Sequence, residues 1–503
     1  MEIKVLTKED IQKIHNATLK ILQNTGVYFH NCPQALEILG KAGCKIENNK
    51  AYFPPDLVES CLRLIPDRSS IRVYSPDGSM SIKFSKGTVN FGTIGNAYYV
   101  YDFKNKTFRN ATESDVDTHW MVFRNLKNFP VHCTNLIFES MRTGASTLEK
   151  YTDRCDTPEQ AITYINWNHV RKQAPNKIPL AGVGQTKEQV RLGVLEQFTF
   201  RNSLEDILER PMDVIWFNPI SPLQYAYGTE GIIEGAKLGI PIMISPEIMM
   251  GTTGPVTMAG SLVQHNAEVL AGVVLTQLIN PGNAVIYGNV GAPMDLRSAE
   301  VSHGNIETQM FQTATIQLAD FYGLPSRVSN GCPSVNSPGA RAVFETCIGL
   351  LMAMNAGGNL ITTGLLDSTV TISYEHWLLI DEMIEQMKQT IRGILIDNEH
   401  MALDLIAREG HPRTNYISSS HTLSHMREEI YYSNYNGRIK ESYEDWYNKA
   451  HKRLNEILKE KESFEWDPVV KERMETLKAR LLEDNDSWRK EGDWWAKYIR
   501  GFS

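Results

Sequence analysis

Residues 215–228 read IWFNPISPLQYAYG, placing Trp216, Phe217 and Asn218 at the end of an apolar run and Tyr225 and Tyr227 past a proline-containing turn. Ring faces gathered where a strand opens into a loop have a chemical use. An electron-rich face attracts a cation, and a quaternary ammonium, which has no N–H to donate, can be gripped in few other ways. Any single ring in a chain with 9% aromatic residues more often fills core. The rings therefore have to be read with the elements that carry them.

Those elements form a series. Between about residues 88 and 397, eight apolar or β-branched runs recur, each followed by a segment with helical spacing: VNFGTIG, VHCTNLI, KIPLAGVG, DVIWFNPIS, PIMISPEIM, AVIYGNVG, PSRVSNGC and GNLITTGLL. This rhythm predicts an α/β chain folded as a (β/α)8 TIM barrel, with a doubly wound open sheet as the alternative reading of the same alternation. The runs are nearly all apolar rather than alternating, as parallel strands covered on both faces require. Helix starts are marked by Thr112 before Asp115, by Thr186 before KEQVRLGVLEQF, and by Pro255.

Two flanking segments differ in character. Residues 1–87 open with an amphipathic helix carrying Leu6, Ile11, Ile14, Leu19 and Leu22 and read as an N-terminal helical cap; residues 88–397 make the barrel; residues 398–503 read as a charged C-terminal helical extension. The extension ends in a tail with Trp488, Trp494 and Trp495, too apolar to leave in water. A surface on the barrel or on a second subunit is needed for it, and on that ground a homo-oligomer is expected.

Charge and composition narrow the function. With 51 Lys plus Arg against 59 Asp plus Glu and no basic run, nucleic acid is not an expected partner. No run of roughly 18 to 20 residues reads as a membrane span, and the start MEIKVLTKED has no apolar signal core, so a cytoplasmic protein is expected. Seven scattered cysteines without a C-x-x-C pair fit buried free thiols in a reducing compartment.

Barrel enzymes work at the C-terminal ends of their strands. Here those ends carry Phe91, Asn135, Gln185, Phe217, Asn218, Glu247, Tyr287, Asn289, Asn330 and Thr363, with Tyr225, Tyr227, His303, Glu345, Tyr374, His376 and Trp377 just downstream. The set is rich in rings and amides and poor in proton- or metal-handling groups. Cys332 has no close cysteine neighbour for zinc, and His421 and His425 lack the glutamate of an H-E-x-x-H site, so no metal site is expected. Neither GQTKEQ nor GTTGPVTMAG is a nucleotide-binding glycine pattern. Glu247 with Glu345 or Asp367 could form the paired carboxylates of a hydrolase, which stays open as a second reading.

The opening LTKEDIQKIHNATLKILQNTGVYF, the segment FGTIGNAYYVYDFKNKTFRNATESDV, the stretches RAVFETCIGLLMAMNAGGNLITTGLLDS and IDEMIEQMKQTIRGI, and HTLSHMREE in the C-terminal part resemble the trimethylamine methyltransferase family. The resemblance runs from about residue 3 to 450. It implies a corrinoid-dependent methyltransferase that moves a methyl group from an amine to the Co(I) form of cobalamin carried by a separate small corrinoid protein, with no cofactor held permanently. Founding members act on trimethylamine and carry pyrrolysine. This chain has only standard residues, including in NGCPSVNSPGARAVFE, and so is similar to the pyrrolysine-free members that demethylate glycine betaine and related quaternary amines. A non-catalytic quaternary amine binding protein would share the cage and is the third reading.

For the demethylase, the leaving group is a neutral tertiary amine, so no proton donor is demanded of this chain. Its work is to position the cation and exclude water. Strand-end position puts Phe91, Trp216, Phe217, Tyr287 and Trp377 in the cage, although pleating allows only one of Trp216 and Phe217 to face inward. Asn218, Asn289, His303 and Asn330, with Arg297 or Arg327, are the candidate donors to a betaine carboxylate, and Glu247 adds negative potential near the ammonium.

Overall fold

The computed structural model describes residues 2–138, 155–180, 182, 184–433, 435, 443–460, 464–484 and 487–502. Six of the apolar runs form one all-parallel sheet: β1 (Asn90–Thr93), β2 (Ile215–Phe217), β3 (Ile242–Ile244), β4 (Val285–Asn289), β5 (Ser326–Ser329) and β6 (Leu360–Thr363). Its order is β2-β3-β4-β5-β6-β1, so the first strand lies against the last. Helices α1 (Lys8–Asn24), α2 (Asp115–Asn125), α3 (Pro158–Val170), α4 (Lys187–Gln197), α5 (Thr229–Leu238), α6 (Met258–Ile279), α7 (Ile306–Phe321), α8 (Ala340–Asn355), α9 (Tyr374–Arg392), α10 (Tyr443–Lys459) and α11 (Pro468–Glu483) surround it.

Among the described residues, the other two runs join this sheet through single parallel bridges, and Asn135–Leu136 of the first also pairs in parallel with Asn96–Ala97. Val131 pairs with Gly92, and Ile178 pairs with Val131. The cause is in the sequence: Pro130 and Pro179 lack the N–H that would extend each ladder. Among the described residues beyond Ile178, a side chain links this run to the β2 region: the Gly182 N–H donates to Asp213 Oδ1 at 3.0 Å.

Strand parity divides the core. Val131, Ile178, Val214, Met243, Ile286 and Leu360 meet inside the sheet, together with Val73 and Ile82 from an antiparallel hairpin, Arg72–Tyr74 with Ser81–Lys83. Their neighbours one residue along face the helices: Ile215, Phe217, Ile242, Ile244 and Tyr287 in one cluster, Phe91, Val328 and Ile361 in another. Gly288, in register with Arg327, belongs to the inner layer, where a Cβ would lie 1.7 Å from Ser245 Oγ.

Helix α6 is long and apolar enough to cross a membrane, contrary to the reading that no run qualifies; however, it is a core helix with 78% of its most apolar window buried inside the protein. Its His265, Asn266 and Glu268 are buried and bonded to Gly288, Tyr322 and Ser221.

Helix α1, closed by a Thr7–Asp10 capping box, buries Ile11, Ile14 and Leu22 in the same cluster as α6. A short strand, Val27–Phe29, pairs in parallel with Gln224–Tyr225 in the loop after β2. At the other end, α10 docks beside α9 through Tyr447, whose hydroxyl lies 2.9 Å from His376 Nδ1. The tryptophan tail finds its surface on its own chain: Trp488 and Trp494 are buried, and Arg191 of α4 donates to the Trp488 carbonyl. The tail therefore gives no reason to expect a second subunit.

Candidate active site

At the C-terminal ends of the strands, inward-facing side chains enclose a cavity of about 660 Å³. Its rings are Tyr98, Tyr164, Trp167, Trp216 and Tyr227; its polar groups include Asn135, Gln185, Asn218, Glu247, Arg171 and Arg327. Exposed Asn96, Gln185, Asn218 and Tyr227 open it to solvent.

The floor is held by Arg327 from β5. Its side chain is fully buried, and its guanidinium lies 4.3 Å from the Trp216 ring centroid. One nitrogen, Nη1, donates to the Asn289 carbonyl at 3.3 Å, while Nε and Nη2 have no partner among the described residues. Desolvation lowers the guanidinium to about 10, which leaves it charged at neutral pH. A buried cation with unmet donors is costly unless something anionic completes it. Arg171, at the end of α3, repeats the motif: Nη1 donates to Asn168 Oδ1, and Nε and Nη2 are buried without a partner among the described residues.

Opposite in sign is Glu247, beyond β3, which opens onto the cavity. Partial desolvation raises its carboxyl, and the Arg327 charge opposes that rise. Asn218 has a fixed orientation, because its Oδ1 accepts from Trp216 Nε1 at 2.9 Å and its amide N–H groups remain for the cavity. His303 can only donate toward the Val290 carbonyl, 3.2 Å from Nε2. Burial lowers the ring's proton affinity and favours the neutral form, so Nδ1, which has no partner among the described residues, is an acceptor. That tautomer does not fit the expected role of donor to a carboxylate. Behind the wall, burial pushes Asp213 up to about 6, with Arg171 and Lys172 opposing the shift.

Of the residues chosen from strand-end position, Trp216, Asn218, Glu247 and His303 line this cavity. The other six do not, and parity explains five of them. Phe217 points outward and stacks on Tyr225 at 4.9 Å, so Trp216 is the inward member of the pair. Phe91 and Tyr287 pack toward helices. Asn289 donates to Thr315 Oγ1 of α7, and Asn330 donates to Gln309 Oε1 of the same helix. Trp377, on α9, is core beside Phe123 and His119. Arg297 is exposed and paired with Asp295.

Asn135 and Gln185 were legible as strand-end groups and Tyr227 as lying just downstream of one, but Tyr98, Tyr164, Trp167 and Arg171 were not, since Tyr98 sits just before the short strand Tyr99–Asp102 and the other three lie on or just after α3. The proposed second carboxylates are also elsewhere: Glu345 accepts from Arg341 Nε at 2.6 Å and from the Ser334 N–H at 2.7 Å, outside the cavity lining, as is Asp367. His400, His421 and His425 form a ring cluster on the C-terminal segment, far in sequence from the cavity residues.

Comparison with known proteins shows the family of the chain. The family model of trimethylamine methyltransferase (MTTB) matches residues 1–148 and 183–482. The glycine betaine methyltransferase of Desulfitobacterium hafniense (strain Y51) is 28% identical over 486 residues, covering 95% of this chain and 96% of that protein. The trimethylamine methyltransferase MttB of Desulfitobacterium hafniense (strain DSM 10664 / DCB-2) is 28% identical over 493 residues, covering 95% and 94%. Among solved structures, the monomethylamine methyltransferase (MtmB) of Methanosarcina barkeri aligns over 89% of this chain and 94% of that one, with a TM-score of 0.43 and 10% identity. The chain is an enzyme that transfers methyl groups. It belongs to the trimethylamine methyltransferase family.

Proposed function

We propose that the enzyme takes one methyl group from a carboxylate-bearing quaternary amine, glycine betaine or a related betaine, and delivers it to Co(I) cobalamin carried by a separate small corrinoid protein. The observation that carries this reading is Arg327: a buried guanidinium with two donors unmet among the described residues, in the same cavity as five aromatic rings and Glu247. Trimethylamine offers no anion to that guanidinium, whereas a betaine offers both charges. The (β/α)8 closure, the cap over residues 1–87, the extension over 398–503 and a cytoplasmic setting, which seven free cysteines suit, belong to the same proposal.

In this reading Arg327, with the Asn218 amide, receives the carboxylate through charge-assisted hydrogen bonds. The ammonium then lies against ring faces, with Glu247 supplying a negative field. Cobalamin on the partner supplies the nucleophile, and the cavity mouth past Asn96, Gln185 and Tyr227 leaves it a path. The C–N bond breaks with its electron pair remaining on nitrogen, so the amine leaves neutral and no residue here has to give a proton. What the chain contributes is alignment of one methyl with the mouth and exclusion of water from the reacting pair.

The test is demethylation by the purified enzyme with chemically reduced cob(I)alamin under anaerobic conditions. Glycine betaine, carnitine, proline betaine, choline and trimethylamine are compared, following the cobalamin spectrum and the demethylated amine by mass spectrometry. Turnover of a carboxylated quaternary amine with none of choline or trimethylamine is the expected result. Turnover of trimethylamine alone, or binding of no quaternary amine by calorimetry, overturns the reading.

A further inference from the structure

Tyr164, Trp167 and Arg171 reach the cavity from one face of α3 and its end, spaced three and four residues apart. Helices around a parallel sheet ordinarily stand behind the strands, and the lining comes from strand ends and loops. Here a helix presents its own side chains to the cavity. Residues 149–182, which contain this face, fall outside the family match. This part of the wall is therefore a feature of the chain that the family pattern does not supply.

Arg171 has the donor pattern of Arg327. In each guanidinium Nη1 is engaged, with Asn168 Oδ1 at 3.2 Å and with the Asn289 carbonyl at 3.3 Å, while Nε and Nη2 are buried with no partner among the described residues. The free N–H groups of Nε and Nη2 lie side by side along one edge of the planar group, a fork that matches the two oxygens of a single carboxylate. Nearby protein carboxylates are engaged elsewhere. Glu196 pairs with Lys172 and His169. Asp213 Oδ1 accepts from the Gly182 and Val214 N–H groups, and its charge reaches Arg171 without an ion pair among the described residues. The charges of both guanidiniums act on one thiol, Cys133, which also lines the cavity. Two like charges set around one point, each with an open fork, are fully relieved only by two anionic groups.

We propose that Arg171 and the α3 face beside it form a second subsite that binds an additional carboxylate of the substrate, so that the preferred quaternary amine is a trimethylated amino dicarboxylic acid. This rests on the betaine reading above and names the member of that class. Arg327 receives one carboxylate and Arg171 the other, and the rings of Tyr164 and Trp167 give the intervening chain apolar surface. A hydroxyl would offer one oxygen to a two-donor edge and leave half of the Arg171 fork unmet. The cavity has the room, since about 660 Å³ is the size of site that takes ligands much larger than glycine betaine.

Isothermal titration of the full chain tests it with N,N,N-trimethylglutamate, N,N,N-trimethylaspartate, glycine betaine, and N,N,N-trimethylglutamine, in which an amide replaces the side-chain carboxylate at equal size. The tighter of the two dicarboxylates is expected to bind about 10- to 100-fold more strongly than the glutamine derivative, the worth of a charge-assisted contact. This comparison needs only the wild-type enzyme. Arg171→Lys and Arg171→Met should each bring that ratio to within about 3-fold, because neither side chain has a planar fork. Arg327→Ala should weaken both ligands and leave the ratio in place. A wild-type ratio near one, with glycine betaine bound, overturns this inference alone and leaves the betaine reading standing. A ratio that survives both Arg171 variants, or glycine betaine binding that tightens when acetate is added as a separate anion, overturns it as well. Binding of no quaternary amine overturns both readings.

Discussion

The Arg327 guanidinium lies 4.3 Å from the Trp216 ring centroid, and both residues point inward from parallel strands. A protein cation already engages one aromatic surface of the cavity. A bare ammonium ligand would have to approach against that charge, whereas a zwitterion meets it with its carboxylate. In the proposed reading, Arg327 would therefore be both the obstacle to simple amines and the attraction for betaines.

Replacing Arg327 should separate the two ends of the substrate. Arg327→Ala is expected to weaken binding of a carboxylated quaternary amine by about 10- to 100-fold, the worth of a charge-assisted hydrogen bond, while choline binding stays level or improves. Arg327→Lys should fail to restore it, because an ammonium can neither stack flat on Trp216 nor present a planar fork. Isothermal titration with the two ligands measures this directly.

Glu247 should give substrate affinity an acid limb. Its carboxyl is raised above the usual carboxylate range by desolvation, with the Arg327 charge opposing the shift, so on acidification it loses its charge earlier than an exposed glutamate does. The attraction for the ammonium is fully present above that raised pKa and fades as pH falls through it. In Glu247→Gln the limb should vanish and affinity at neutral pH should drop by a few-fold. Equal pH profiles for the two proteins would show that Glu247 does not face the cation.

Trp216 and Phe217, adjacent in sequence, should behave oppositely. Trp216→Ala is expected to raise the ligand's Kd with a modest change in Tm, since its ring lines the cavity and is only partly buried. Phe217 is 1% exposed against Tyr225, so Phe217→Ala should cost about 3–5 kcal/mol of stability with the site otherwise intact. Thermal melts alongside titrations decide it.

Arg191 should control the C-terminal tail. Its side chain is 2% exposed, pairs with Glu234 at 2.5 Å, and donates to the carbonyls of Trp488 and Lys490. Arg191→Met leaves the Glu234 carboxylate buried without its cation and should cost about 3–5 kcal/mol. Release of the tail would expose Trp488 and shift tryptophan emission to the red. An unshifted spectrum with a lowered Tm would show that the tail is held by its rings rather than by this ion pair.

The parallel strands, their approximate limits and the helices between them were legible because runs such as AVIYGNVG are uniformly apolar, the mark of strands covered on both sides. The family was legible as well, through long segments in the right order. Strand ends also led to Trp216, Asn218 and Glu247 in the cavity lining. Composition could not reveal which face each strand turned inward. A one-residue step reverses a side chain's direction, so Phe91, Phe217, Tyr287, Asn289 and Asn330 looked as suitable as their neighbours until the register was known.

The sequence by itself determined the class of element, the order of the strands along the chain and the family, since each depends on local pattern. Only the tertiary structure decided the site. Tyr98, Trp167 and Arg171 reach the cavity from the start of a short strand and from a helix and its end, remote from β5 in sequence, and nothing local marks them. The donors of Arg327 left unmet among the described residues are likewise a property of its surroundings, because burial and the loss of partners exist only once the strands have packed.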